Sequence, residues 1–232
     1  YELWNVYRRA LVKIPTNRPT QRRMLPDRVL PTQAAKWQVA IARVTELHGR
    51  GCAVLLGTRS VAASEEASEH LTNAGLAHVV LNAAQDSEEA EIVAAAGQAG
   101  RITVATNMAG RGTDIKLDDD VVESGGLHVI MAERHDAGRI DRQLAGRSGR
   151  QGQPGSFQAI LSLEDQLLEM EQIKLVPWAA RLMAGWGGEW LGRFALRRAQ
   201  TQAEGLHSRM RRDLLRSDES LGDALAFSGK SE

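Results

Sequence analysis

The sequence predicts an α/β fold, a parallel β-sheet flanked by helices and followed by a helical appendage. Three observations carry that expectation. Short apolar, β-branched runs alternate with amphipathic segments. The runs are nearly continuous in apolar residues, as strands covered on both faces are. The alternation stops near residue 163, and helical spacing then continues almost to the end. Such alternation implies crossover helices between parallel strands.

Taken in order, the predicted strands are LVKIP (11–15), AVLLG (53–57), HVVLN (78–82), ITVAT (102–106), LHVIMA (127–132) and FQAILSL (157–163). Between them, residues 32–50, 60–75 and 87–100 carry helical spacing and end in Gly or Arg-Gly. Ser60 and Ser87 suit helix N-caps, each followed by glutamates near the first turn. Beyond LEDQLLEMEQ the helical reading is broken at Pro177 and kinked at GWGG (185–188), and residues 189–216 form a long basic helical stretch. The last residues, LGDALAFSGKSE, read as a frayed end. The expected division is a lead-in with a first strand (1–30), an α/β nucleotide-binding domain (31–165) and a helical segment (166–232).

Bulk composition narrows the function. Lys+Arg and Asp+Glu each total 29, which argues against a uniformly basic nucleic-acid binder. The single cysteine, Cys52, lies in the apolar run CAVLLG and reads as a small core side chain. One cysteine permits no internal disulfide, which fits a reducing compartment. No run reaches the ~18 apolar residues of a spanning helix, and no signal peptide is recognisable. Because the chain opens on Tyr1, it is expected to be a piece of a longer soluble protein.

Three elements could carry chemistry, each following a predicted strand: GTRS (57–60), ATNMAGRGTDI (105–115) and RIDRQLAGRSGRQG (139–152). In open α/β sheets ligands bind outside the carboxyl ends of strands, so all three are expected to meet at one edge. In the second element, Gly110 and Gly112 leave room around Arg111, and Asp114 can accept from hydroxyls or pair with a cation. In the third, Arg147 and Arg150 lie three apart and share a face if the turn is helical. Two guanidinium forks side by side suit a polyphosphate and stay charged at any relevant pH. Gln143, four residues before Arg147, can reach the same face. The competing reading is a solvated face, or pairing of these arginines with Glu133, Asp136 and Asp141 close by.

VATNMAGRGTDI and GGLHVIMAERHDAGRIDRQLAGRSGRQGQPGS resemble the second nucleotide-binding domain of the SecA preprotein-translocase ATPase family. The likeness extends upstream through LLGTRSVAASEEASEHLTNAGLAHVVLNA to VKIPTNRP and covers roughly residues 10–165. It implies a RecA-like fold of the P-loop NTPase superfamily, the second of a tandem helicase-type pair, with ATP in the cleft between halves. ATP and Mg²⁺ would be held mainly by a preceding half, since this sequence has no G-x-x-x-x-G-K-[ST]. Carried over by resemblance, Arg111 and Arg150 are arginine fingers, Arg147 is the neighbouring motif arginine and Gln143 the motif glutamine. Asp114, with Gly110, Gly112 and Thr113, would contact the nucleotide. A finger can be worth ~10³–10⁵ in rate, but only once the other half is docked, so the chain alone would not turn over ATP. The implied partners are the N-terminal RecA-like half, a membrane translocation channel, anionic lipid and unfolded preprotein, at the cytoplasmic face of a bacterial inner membrane. A nucleic-acid helicase half and a non-translocating scaffold paralogue remain alternatives.

The sequence departs from the family at Ala145, where arginine is common, and in GQPGSFQAILSLED, which is less polar. The helical tract resembles the family's scaffold helix only faintly. Trp178, Trp186 and Trp190, with Arg181, Arg193, Arg197 and Arg198, suit either a membrane- or channel-facing segment or packing onto another domain. Seven arginines stand against Glu204 and Asp213 between 193 and 216, which reads as a solvated basic face. The histidines lack metal-ligand spacing, and Asp118–Asp119–Asp120 reads as a solvated turn rather than a Mg²⁺ site.

Overall fold

A computed structural model describes residues 4, 9–81, 92–106, 113–170 and 189–228; for 169, 170 and 218–228 it describes the backbone alone. Among the described residues, seven strands form one sheet. They are β1 (Gln21–Met24), β2 (Arg28–Leu30), β3 (Ala53–Thr58), β4 (Val79–Leu81), β5 (Ile102–Thr106), β6 (Leu127–Met131) and β7 (Pro154–Ser162). The order is β1-β7-β6-β3-β5-β4, and every pairing is parallel. β2 extends the β1 edge: Gln21–Met24 pair with Pro154–Phe157, and Arg28–Leu30 with Ile160–Ser162. Pro26, which has no N–H to donate, interrupts that edge, where proline is tolerated.

The helices are α1 (Gln33–Gly49), α2 (Val61–Asn73), α3 (Asp119–Glu123), α4 (Gly138–Ala145), α5 (Gln166–Met170) and α6 (Glu189–Ser228). Thr32 and Ser60 cap α1 and α2, their hydroxyls accepting from the N–H of Ala35 and Ala63 at 3.2 Å each. Both helices stop at a glycine with positive φ, Gly51 (+74°) and Gly75 (+70°), whose paired backbone bonds satisfy the last carbonyls.

The two faces of the sheet bury separate cores. Trp37, Ala40, Val44 and Leu47 of α1 and Ala67 and Leu71 of α2 cover Val54, Leu56, Ile102, Val104 and Ile130. On the other face Val121 of α3, Leu144 of α4 and Leu167 and Leu168 of α5 meet Leu55, Val129, Met131, Phe157 and Leu161. Ala195, Leu196, Ala199 and Ala203 dock α6 onto that same core. Each fully buried Leu, Ile or Val is worth about 1.5–3 kcal/mol, so β3 and β5, buried at every position, are the centre of stability.

Several expectations change. The predicted strand 11–15 pairs with nothing in the sheet, and Leu11, Val12 and Ile14 are exposed. The edge is instead QRRM and RVL, unrecognised because an edge strand with a polar outer side lacks an apolar run. Of the helix predicted over 87–100, residues 92–95 are helical and 96–100 form turns, while 87–91, with the expected cap Ser87, lie outside the described residues. The expected frayed end is helical through Ser228. Asp118–Asp120 open α3, where carboxylates complement the helix dipole. Trp178, Trp186 and Arg181 lie outside the described residues, whereas Trp190 is exposed on α6. No described helix is long and apolar enough to cross a membrane.

Candidate functional site, an arginine turn at the amino edge of the sheet

The three sequence elements do not meet at one edge. GTRS closes β3 at the carboxyl edge, where Arg59 pairs with Asp136 at 2.8 Å and its N–H donates to Glu133 at 3.2 Å. Gly57 faces inward: a Cβ there would come within 2.9 Å of Leu144 Cδ1, so the glycine lets α4 sit directly on β3. The acids that the competing reading offered to Arg147 and Arg150 have other partners, Glu133 and Asp136 on Arg59 and Asp141 on His135.

The arginine element lies at the opposite edge. α4 carries the chain back from the end of β6, and β7 starts at Pro154, four residues after Arg150. Gly155 pairs with Leu127, the first residue of β6, so the turn sits beside the amino ends of the strands. Residues 113–118 reach the same edge, anchored by buried Ile115 and by the Asp118 N–H donating to Gly97 O at 3.2 Å, just before β5. Thr113 and Asp114 of the second element therefore meet the arginine turn of the third. The first element touches both only away from that corner, Gly57 and Thr58 pairing with Ala105 and Thr106 and Gly57 lying against Leu144.

Their meeting is specific. Arg150 Nη1 donates to Asp114 Oδ1 at 2.7 Å and to Thr113 O at 3.4 Å, and Arg147 Nη1 donates to Thr113 O at 3.3 Å. Gln151 Nε2 donates to the other Asp114 oxygen at 3.2 Å, and Arg150 Nε to Gly146 O at 3.0 Å. The turn is not an α-helical continuation. Gly149 (φ +66°) and Gln151 (φ +52°) adopt left-handed backbone, so the arginines converge through a tight loop rather than along a helix face. Arg150 and Asp114 remain 37% and 44% exposed, half open to a ligand. Gln143 is exposed on α4, one turn before Arg147. Gly110, Arg111 and Gly112 lie outside the described residues.

Both ends of α4 are tied down, and three of the residues that do so, Gln200, Arg22 and Arg18, were not singled out from the sequence. At its start, Asp141 accepts from the His135 backbone N–H at 3.1 Å and lies 2.8 Å from His135 Nδ1. Gln200 of α6 donates to the other Asp141 oxygen and to His135 O, both at 2.8 Å. At its end, Arg22 of β1 donates to Ala145 O at 3.0 Å and to Ser148 O at 3.2 Å. Arg18 donates to Gln151 O at 3.4 Å. Nothing in RPTQRR marks these contacts, because they depend on a parallel pairing over a hundred residues distant in sequence.

A separate buried pair fixes the start of α1. Lys36 Nζ contacts Asp165 Oδ1 at 3.0 Å with both side chains almost fully buried, and Asp165 also accepts from Ser162 N and Gln33 Nε2. Burial raises the Asp165 carboxyl to about 6, against the pull of Lys36. Lys36 stands four before Ala40 and eight before Val44, on the buried stripe of α1. That phase was the available signal that it is not a surface lysine.

Residues 19–121 and 116–176 match the family model described as the SecA P-loop domain. The chain is 51% identical over its whole length to protein translocase subunit SecA 2 of Bordetella avium, and 47% identical, again over its whole length, to SecA 3 of Magnetococcus marinus. It spans 36% of the length of each. In structure it resembles the Escherichia coli DEAD-box protein SrmB at a TM-score of 0.51 and 20% identity, over 65% of this chain and 83% of that one, a likeness of fold. By family-model and sequence match along its length, the chain belongs to the SecA family.

Proposed function

We propose that this chain is the second motor half of a SecA-type ATPase, presenting Arg147 and Arg150 to a nucleotide held mainly by a preceding half. The observation that supports this reading most is the convergence of both guanidinium groups on Thr113 O, with Arg150 also on Asp114, at a half-exposed corner. When bound, ATP brings the transferring phosphoryl group and Mg²⁺ neutralises part of its charge. The residues fit such a group, because planar donor forks match phosphate oxygens and a glycine-rich turn admits them closely.

In this reading Arg150 rests on Asp114 and exchanges it for phosphate when the halves close. A solvent-exposed ion pair is worth only about 0–1 kcal/mol, so the exchange costs little. Once there, the guanidinium stabilises negative charge developing on the phosphoryl oxygens. Arg147 braces the same loop through Thr113 O and adds a second positive charge. Asp114 orients Arg150 and Gln151 and, with Gly110, Gly112 and Thr113, lines the nucleotide side. Arg111 is the second finger and Gln143 a neutral partner on the same side.

Residues 31–165, with the edge strands from 1–30, would be the nucleotide-facing unit, and 166–232 the beginning of a scaffold that carries its motion. The coupled work is protein translocation, with unfolded preprotein, anionic lipid and a membrane channel as partners at the cytoplasmic face of the inner membrane. Without the preceding half, the chain hydrolyses no ATP. The test is ATP turnover by the full-length protein, with anionic vesicles plus unfolded preprotein and, separately, with single-stranded RNA. Stimulation by vesicles and preprotein is expected. Stimulation by RNA alone would overturn the reading.

A further inference from the structure

The arginine turn is held in shape from a strand that contributes almost nothing to the core. β1 is mostly exposed, with Met24 61% accessible, and none of its residues enters either hydrophobic cluster. Its one half-buried residue is Arg22. Arg22 Nη1 alone donates to the carbonyls of both Ala145 and Ser148, which bracket the glycine-arginine step 146–147. Ala145 closes α4 and its carbonyl also accepts from Ser148 N at 3.3 Å, while Ser148 lies just beyond the helix end, where a cation is favoured.

Arg22 also defines the shape of the loop by contact. A Cβ on Gly149 would lie 2.6 Å from Arg22 Cβ and 3.1 Å from its N and Cα. Across the sheet Arg22 pairs with Gly155, whose own Cβ would approach Gly149 N and Ser148 Cβ at 3.2 Å each. Arg22, Gly149 and Gly155 thus stack with no room between them. The adjacent carbonyl, Gly146 O, receives Arg150 Nε at 3.0 Å. A continuous path of short contacts therefore runs from Arg22 through the loop backbone to the Arg150 guanidinium.

We infer that Arg22 is a positioning residue for Arg150: it fixes the 145–149 backbone on which the Arg150 side chain is aimed, without touching the nucleotide. The inference rests on the proposed role of Arg150 and deepens it. It explains why an exposed, arginine-bearing edge strand is built against the amino end of β7.

The test is a double-mutant cycle in the full-length protein, reading kcat and KM for ATP. Arg22→Met keeps the stem and removes the donors. It is expected to lower kcat about tenfold with KM for ATP within about twofold. Arg22→Lys, which keeps a charged donor on a shorter stem, should recover part of that loss. In an Arg150→Ala background, Arg22→Met should have no further effect on kcat, since residues acting as a unit are not additive. An equal tenfold loss in both backgrounds would overturn the inference, as would a raised KM with unchanged kcat. If Arg22→Met does not fold, Arg22→Lys is carried through the same cycle with the same criteria. Wild-type turnover by Arg150→Ala alone would instead remove the reading on which the inference rests.

Discussion

Replacing Gly149 by alanine should destabilise the fold far more than the same change at Gly51, although both glycines have nearly the same backbone. Their φ values are +66° and +74°, so alanine at either site carries a left-handed strain of about 1–2 kcal/mol. At Gly51 nothing lies within 4 Å of the added methyl, and the cost ends there. At Gly149 the methyl falls 2.6 Å from Arg22 Cβ and 3.1 Å from two Arg22 backbone atoms, which no rotamer change relieves. β1 must withdraw, putting at risk the two Arg22 hydrogen bonds to Ala145 O and Ser148 O, each worth about 0.5–1.5 kcal/mol. The expected losses are about 1–2 kcal/mol for Gly51→Ala and about 2–5 kcal/mol for Gly149→Ala. Urea unfolding of both variants, compared at constant m-value, measures the difference. Equal losses would mean that β1 does not clamp the turn.

Two further outcomes follow from buried charges. Lys36→Met leaves Asp165 buried without its cation and should cost about 3–5 kcal/mol by urea unfolding, with Asp165→Asn in that background restoring part; a loss below about 1 kcal/mol would contradict the pairing. His128, in β6 opposite Ser156 of β7 with Nδ1 2.6 Å from Ser156 Oγ, is lowered to about 4 by burial and by Arg43 and Arg50. The unfolded chain therefore binds more protons there between pH 4 and 6.5, so this group makes stability rise with pH across that window. Asp165, raised to about 6, acts oppositely from about pH 4 to 6, because there the folded state holds the proton. His128→Gln should remove the rising part and leave stability falling from pH 4.5 to 6; an unchanged pH profile would exclude His128 as its source.

The legible parts of this molecule are those in which one local pattern suffices. The apolar runs of β3, β5 and β6 are visible because strands buried on both faces carry few polar residues, and the stripe of α1 because its buried residues recur at helical spacing. Ser60 was legible as a cap because capping needs only its own neighbours. The edge strands were not, since QRRM gains its place from pairing with β7 rather than from burying itself. LVKIP misled for the converse reason: it has strand-like residues but pairs with no strand of the sheet. Within the site, Arg147, Arg150 and Asp114 could be named from glycine spacing and from family likeness. Their location could not. The rule for carboxyl ends placed GTRS beside them, whereas residues 113–118 and α4 both return to the amino edge. Arg22 and Gln200, which secure the two ends of α4, act across the fold and leave no local mark in the sequence.

The central claim is that the arginine turn serves a nucleotide whose phosphates are bound chiefly by another part of the same protein. It is tested most directly by ATP turnover and ATP affinity of full-length protein carrying Arg150→Ala. The account predicts a fall in kcat of at least ~10²-fold with ATP affinity within a few-fold of wild type. Unchanged turnover would contradict it and leave Arg150 as no more than the surface partner of Asp114.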